Sequence, residues 1–139
     1  GQRVNSASIG GLLPLLVLPP GHPHVGDLCH RLSDWLNQAP FGVCSMDPQD
    51  SRFDGKRYWR GPSWLIVNFL LITGLRQCAQ DDLAHRVMHA SLQCIQKSGC
   101  SEYYHPMTGE ALGGGTFTWT AAMVIEFLNM DAKQALDIT

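Results

Sequence analysis

The chain has 139 residues, of which 45% are hydrophobic and only 16% charged, with a net charge of -2. That length fits one ordinary domain or a piece of a larger one, and the apolar content suffices for a core. The near-neutral balance offers no field to draw in nucleic acid, and the five widely spread cysteines, without a C-x-x-C pair, give neither a disulfide framework nor a zinc ribbon.

Free thiols in a reducing compartment, and so a cytoplasmic location, are the expectation. The longest apolar run, "IGGLLPLLVLPP" at residues 9 to 20, is too short to span a bilayer and is broken by Pro14. It also lacks the cleavage site of a signal peptide, so no membrane partner is expected. The first residue is Gly1 and not Met, which leaves room for sequence upstream.

Residues 25 to 38 place Val25, Leu28, Cys29, Leu32, Trp35 and Leu36 on one stripe, followed by Pro40 and Gly42 as terminators. The spacing predicts an amphipathic helix. Residues 39 to 61 are rich in Pro, Gly, Asp and Ser and long for a connection, which predicts a functional loop. Pro62 stands where a first helical residue belongs, and "PSWLIVNFLLITGLRQCA" after it is apolar nearly all round.

Asp81 or Asp82 is placed to cap the next helix, whose Leu83, Val87, Ala90, Cys94 and Ile95 form a stripe ended by Gly99. A second loop follows from residue 100. Thr118 then caps "WTAAMVIEFLNM", again largely apolar, and the last nine residues read as frayed. No stretch sustains a period of two, so the chain reads as all-α. Alternating amphipathic and almost fully apolar helices suit a concentric helical barrel, in which inner helices are apolar on most faces. Such an arrangement gathers the loops before the inner helices over one end, where helix N-termini welcome polar ligands.

Both loops carry chemistry. Tyr58, Trp59 and Trp64 lie beside Arg60 in "RYWRGPSW". Flat rings and a planar cation suit stacking on sugar faces and hydrogen bonding to hydroxyls; core rings and a loop brace are the plain alternative. The second loop, "CSEYYHPMTGEALGGGTFTWT", sets Glu102 beside Tyr103 and Tyr104, with Glu110 and Gly113 to Gly115 downstream. Such neighbours can hold a catalytic carboxylate, and glycines let backbone approach a ligand closely; a solvated loop glutamate is the competing reading. His85 and His89 are four residues apart on a helix, but no third metal ligand accompanies them. His22 and His24 flank Pro23 in a turn and read as solvent-facing. Neither a metal nor an organic cofactor is indicated.

"RYWRGPSWLIVNFLL", followed at a distance by "SEYYHPMTGEALGGGTFTWTAA", resembles the C-terminal part of family 63 glycoside hydrolases, which include glucosylglycerate and mannosylglycerate hydrolases. "GGLLPLL" and "CSMDPQDSRFDGKRYWRG" extend the likeness to roughly residues 10 to 128. It implies an (α/α)6 barrel, of which residues 1–139 form the C-terminal portion, and inverting hydrolysis of a small α-glucoside or α-mannoside by two carboxylates. The family's base is the glutamate of E-x-Y-x-P-x-T-G-E, here Glu102, with Glu110 shaping the loop. Tyr58 and Trp59 would line the sugar subsite, Trp64 would close a wall, and Arg60 would anchor the loop or reach a hydroxyl. Near Thr116 and Phe117 some relatives carry a polar residue that helps select the aglycone.

The family's acid, an aspartate in a D-S-G-x-D-N-S-P-like segment, has no counterpart: Asp27, Asp34, Asp47, Asp50 and Asp54 lie in other contexts. A whole barrel also has more helices than this chain offers. The resemblance therefore implies a fragment with little or no turnover of its own, whose inner helices expose apolar faces. A non-catalytic sugar-binding or relic fragment is the rival. A sugar epimerase or polysaccharide lyase would call for histidine pairs in the mouth loops, where His105 stands alone. The oligomeric state is left open.

Overall fold

The computed structural model describes residues 5–136. A 3-10 helix, Ile9–Leu16, is followed by α1 (Pro23–Gln38), α2 (Leu65–Gln77) and α3 (Asp81–Ser98). An antiparallel hairpin of β1 (Ser101–Tyr104) and β2 (Ala111–Gly115) then leads into α4 (Thr118–Leu136). Among the described residues no helix is long and apolar enough to cross a membrane.

α2 is the hub, packed against the 3-10 helix, α3 and α4. Its Leu65, Val67, Leu71, Ile72 and Leu75 are buried on several sides at once, as its all-round apolar sequence requires. Burying each such side chain contributes roughly 1.5–3 kcal/mol. α1 and α3 bury one stripe each, Val25, Cys29, Leu32, Trp35 and Leu36 on the first and Leu83, Val87, Ala90 and Cys94 on the second. Leu28 and Ile95, at the margins of the expected stripes, are only half-buried. Burial pushes the thiols of Cys44 and Cys94 up to about 12, so both behave as small hydrophobes.

Element boundaries differ from expectation for local reasons. The apolar run before α1 is a 3-10 helix that buries Ile9, Leu12 and Leu15. α1 starts two residues early because His22 caps it, its Nδ1 accepting the His24 N–H at 3.3 Å. His22 thus adds a capping task at the surface, and His24 is exposed as expected. Pro62 does not open α2: Ser63 is held extended by bridges to Cys44 and Tyr104, and the helix starts only at Leu65. Asp81 and Asp82 occupy the first turn of α3 after Gln80, favourable for the helix dipole without capping it. Gly99 ends α3 at φ 71°, a left-handed turn that suits glycine. α4 continues past the expected end to Leu136, and residues 137–139 lie outside the described residues.

The second loop is the main difference, since residues expected to be irregular form a hairpin. Its register pairs Ser101 with Gly115 and Tyr103 with Leu112, leaving Glu102 opposite both Gly113 and Gly114. The extra residue makes a β-bulge, which breaks the two-residue alternation by which strands are read and re-aims the opposing side chain.

Gly74 shows how closely the hub is packed. A Cβ there would lie 2.8 Å from the Leu15 carbonyl carbon. Gly74→Val is expected to lower the unfolding free energy by about 1–3 kcal/mol, as overpacking does. Gly11→Ala, with nothing within 4 Å of the added carbon, should change it by less than about 0.5 kcal/mol. Urea denaturation followed by circular dichroism measures both.

Candidate active site

Aspartates shape the first loop. Asp47, Asp50 and Asp54 each accept the backbone N–H two residues on, from Gln49, Arg52 and Lys56, and so turn the chain three times. Arg52 also grips Asp50 at 2.7 and 2.9 Å, and these hydrogen bonds hold the Asp50 carboxyl well below the usual carboxylate range. The loop closes where the Asp54 N–H donates to the Arg60 carbonyl at 2.9 Å. Gly61 packs there so tightly that a Cβ would fall 2.3 Å from the Asp54 oxygen. Tyr58 and Trp59 form the half-exposed tip.

Two backbone bonds fasten this loop to the hairpin: the Ser63 N–H donates to the Tyr104 carbonyl and the Tyr104 N–H to the Ser63 carbonyl, both at 2.9 Å. Lys56 pairs with Glu110 at 3.1 Å, and the His105 ring packs against Gly55 while its Nδ1 accepts the Met107 N–H. Glu110 and His105 are thus braces between the loops. The Tyr104 hydroxyl is buried, donating to the Gly99 carbonyl and accepting from the Ser101 N–H, and burial pushes its phenol up to about 12.

These ties bring Tyr58 and Glu102 together. The Tyr58 hydroxyl donates to Glu102 Oε1 at 2.6 Å, short for a hydrogen bond and in the range of charge-assisted ones. Behind the carboxylate stands Gly113, at φ 74°, where a Cβ would lie 2.5 Å from Glu102 Oε2. The glycine of the bulge therefore makes room for Glu102 itself. The Tyr58 ring meets Trp64 and Tyr103 edge-on at 4.8 and 5.1 Å. Trp64 is sandwiched, with Trp59 stacked on one face at 4.3 Å and Tyr103 on the other at 4.9 Å. Its Nε1–H donates to the Tyr58 carbonyl. Each such ring pair contributes about 0.5–1.5 kcal/mol beyond its burial.

Glu102 borders a narrow crevice, too tight to hold a water molecule, with Trp64 and Ile66 at the start of α2 and Phe117, Trp119 and Thr120 at the start of α4. The N-terminal ends of the two apolar helices thus meet at the carboxylate, the placement expected of barrel loops. The Arg60 side chain is exposed and makes no hydrogen bond or ion pair among the described residues. Tyr103 stands against the cluster as a wall, one of the two parts the sequence offers it, and Phe117 lies near the position expected to bear on the aglycone; Trp119 is the lining residue that the sequence does not single out. Wider concavities, of up to about 460 Å³, lie along α1 and α3 and hold neither Glu102 nor the aromatic cluster. Chemistry and not volume marks the site. Among the described residues no three His, Cys, Asp or Glu side chains come together as metal ligands, and His85 and His89 border one of those outer concavities.

The fold is that of a partial (α/α)6 barrel, with a carboxylate beside aromatic rings where the N-terminal ends of two helices meet. Residues 1–120 match the mannosylglycerate hydrolase MGH1-like glycoside hydrolase domain, and the chain belongs to that family. It is 40% identical over 128 residues to mannosylglycerate hydrolase MGH1 of Selaginella moellendorffii, covering 92% of this chain and 26% of that protein. Glucosylglycerate hydrolase of Mycolicibacterium hassiacum is 32% identical over 86 residues, 62% of this chain and 19% of its own length. The crystal structure of the family 63 mannosylglycerate hydrolase from Thermus thermophilus in complex with glucose superposes with a TM-score of 0.84 at 32% identity, over 93% of this chain and 31% of that one. The chain therefore spans about a quarter to a third of the Selaginella and Thermus proteins.

Hydrogen bonding to Glu102, reinforced by partial burial and the carboxylate charge, raises the Tyr58 phenol pKa above its ordinary value. Tyr58 is expected to ionise above the usual pH of about 10 in an ultraviolet titration, with Tyr58→Phe assigning its signal, and Glu102→Gln should bring it back down. The folded state holds this proton more tightly than the unfolded one. Its contribution to stability is therefore complete below about pH 10 and is lost as pH rises beyond that. Denaturant unfolding of the parent and Tyr58→Phe at neutral and alkaline pH checks the sign.

Proposed function

We propose that residues 1–139 are the C-terminal portion of one (α/α)6 catalytic domain and supply the general base and part of the sugar subsite of an inverting α-glycosidase. The substrate class is a small α-mannoside or α-glucoside of the mannosylglycerate or glucosylglycerate type, by analogy with the relatives' names. The observation that carries this reading is the Tyr58–Glu102 pair at 2.6 Å, seated on Gly113 and facing a crevice between two helix N-termini.

In the proposed reaction Glu102 removes a proton from a water that attacks the anomeric carbon, while an acid on the opposite side protonates the departing oxygen. The glycosidic C–O bond breaks as the new one forms, and the sugar leaves with inverted anomeric configuration. Tyr58 acts as a positioning residue: its hydroxyl fixes the orientation of the carboxylate toward the water. Trp59 offers its outer face to the sugar ring, Trp64 backs it as a strut and lines the crevice by its edge, and Arg60 reaches a hydroxyl. No metal or organic cofactor enters the scheme.

The acid lies outside this sequence, so the isolated chain is expected to show no turnover. That absence is also what a binding or relic fragment would show, and the two diverge only in a whole barrel. The free cysteines suit a reducing compartment, and we place the protein in the cytoplasm.

The test grafts this chain in place of the matched 128 residues of the Selaginella protein and assays hydrolysis of mannosylglycerate and glucosylglycerate. Glu102→Gln is expected to lower kcat by roughly 10²–10⁴ with little change in KM, the usual worth of a general base. Tyr58→Phe should lower kcat by roughly ten- to a hundredfold, as loss of a hydrogen bond to a charged group does. Full activity in Glu102→Gln would assign the base elsewhere, and sugar binding without hydrolysis in the unsubstituted graft would favour the binding fragment.

A further inference from the structure

Ser101 stands immediately before Glu102 and is 2% exposed, and each of its polar groups is claimed by a different part of the fold. Its N–H donates to the Tyr104 hydroxyl at 2.8 Å, and that hydroxyl is anchored on the Gly99 carbonyl at the end of α3. Its carbonyl accepts from the buried Thr120 hydroxyl of α4 at 2.6 Å. Its own hydroxyl reaches across the hairpin and donates to both the Leu112 and the Gly114 carbonyl, at 2.8 and 3.1 Å. One acceptor is enough to satisfy a buried hydroxyl. This one spans two, and the residue between them is Gly113.

That placement bears on the carboxylate, because Gly113 is the residue that yields space to it. A Cβ at Gly113 would lie 2.5 Å from Glu102 Oε2 and 2.8 Å from Glu102 Cβ. A bulge interrupts the strand ladder, and glycine is the residue with most backbone freedom to lose, so the run from Gly113 to Gly115 needs a tie to hold one shape behind Glu102. The Ser101 hydroxyl supplies it on both sides of Gly113.

We infer that Ser101 is a positioning residue for Glu102: its hydroxyl clasps the bulge around Gly113 and keeps the seat of the carboxylate in shape, while Thr120 fixes the same strand to α4. The inference rests on the general-base reading of Glu102 above. Both hydroxyls act through the backbone that carries and surrounds the carboxylate, the support a catalytic group needs to stay within a fraction of an ångström of its working position.

The experiment follows Ser101→Ala and Thr120→Val in the isolated chain and in the Selaginella graft. Leu112 is half-buried and Gly114 exposed, so water can replace the lost donor, and Ser101→Ala is expected to keep its helical circular dichroism. Thr120→Val leaves the Ser101 hydroxyl in place and loosens the same strand from α4, which gives a second judgement should Ser101→Ala misfold. In the isolated chain the ultraviolet titration of Tyr58, assigned by Tyr58→Phe, is expected to move down toward the ordinary value of about 10 in each folded variant, because the carboxylate is no longer held against the phenol. In the graft kcat on mannosylglycerate is expected to fall roughly tenfold while KM changes by less than about twofold, the pattern of a misplaced catalytic group and not of lost binding.

A Tyr58 titration that stays where it is in the folded variants, a loss carried by KM with kcat unchanged, or the unfolding of both variants would make these hydroxyls plain bonds of the hairpin and overturn the proposal. Failure of the clasp and failure of the general-base reading look different. A parent graft that hydrolyses nothing, with Tyr58 still shifting in Ser101→Ala, sinks the base and leaves the clasp on Glu102 standing. An active graft indifferent to both changes sinks the clasp alone.

Discussion

Ser63 makes two 2.9 Å backbone bonds to Tyr104, and everything at the site depends on that bridge. It joins residues 41 positions apart in sequence, and its cost in chain ordering is met by a buried support beneath it. Asn68 of α2 donates to the hydroxyls of Ser63 and Ser91 at 3.1 and 2.9 Å, and Ser91 donates onward to the Val87 carbonyl of α3. Gly42 lies so close that a Cβ would come within 2.3 Å of the Ser63 hydroxyl. The two loops are thus registered against the helical hub. A shift of one residue at Ser63 would part Tyr58 from Glu102.

On that base the glycine-rich strand performs a local task. A regular hairpin would set Glu102 against one partner residue; the bulge sets it against two glycines, and the left-handed Gly113 clears the space its carboxylate fills. The aromatic residues then divide the work. Trp64 is covered on both faces and holds the tip of the first loop through its Nε1–H, while Trp59 keeps one face open and Tyr58 gives its hydroxyl to the carboxylate. Rigidity of this kind holds the Glu102 carboxylate at fixed geometry without contacts from a ligand.

Periodicity made the helices legible, because α1 and α3 each bury a clean stripe and α2 is apolar enough to announce a central position. The site residues were visible as residue types in two loops, and their meeting came from resemblance, since no local rule pairs residues 58 and 102. The hairpin escaped because three of the five residues of β2 are glycine and it carries a bulge, which leaves no alternation to read. The start of α2 escaped for a related reason: Pro62 is a sound first helical residue, but a tertiary bond claims Ser63 and overrides it. Trp119 was missed as a site residue because an aromatic near a loop reads equally well as core, and only the packing shows which face is open.

The central claim is that Glu102 activates the water that attacks the sugar. Chemical rescue addresses it most directly: Glu102→Ala in the whole-barrel graft is assayed with and without azide, and the product is examined by proton NMR. The predicted result is a largely inactive variant that azide revives, forming a β-glycosyl azide from the α-linked substrate. An active Glu102→Ala enzyme, a variant that azide cannot revive, or an azide product of retained α configuration would contradict it.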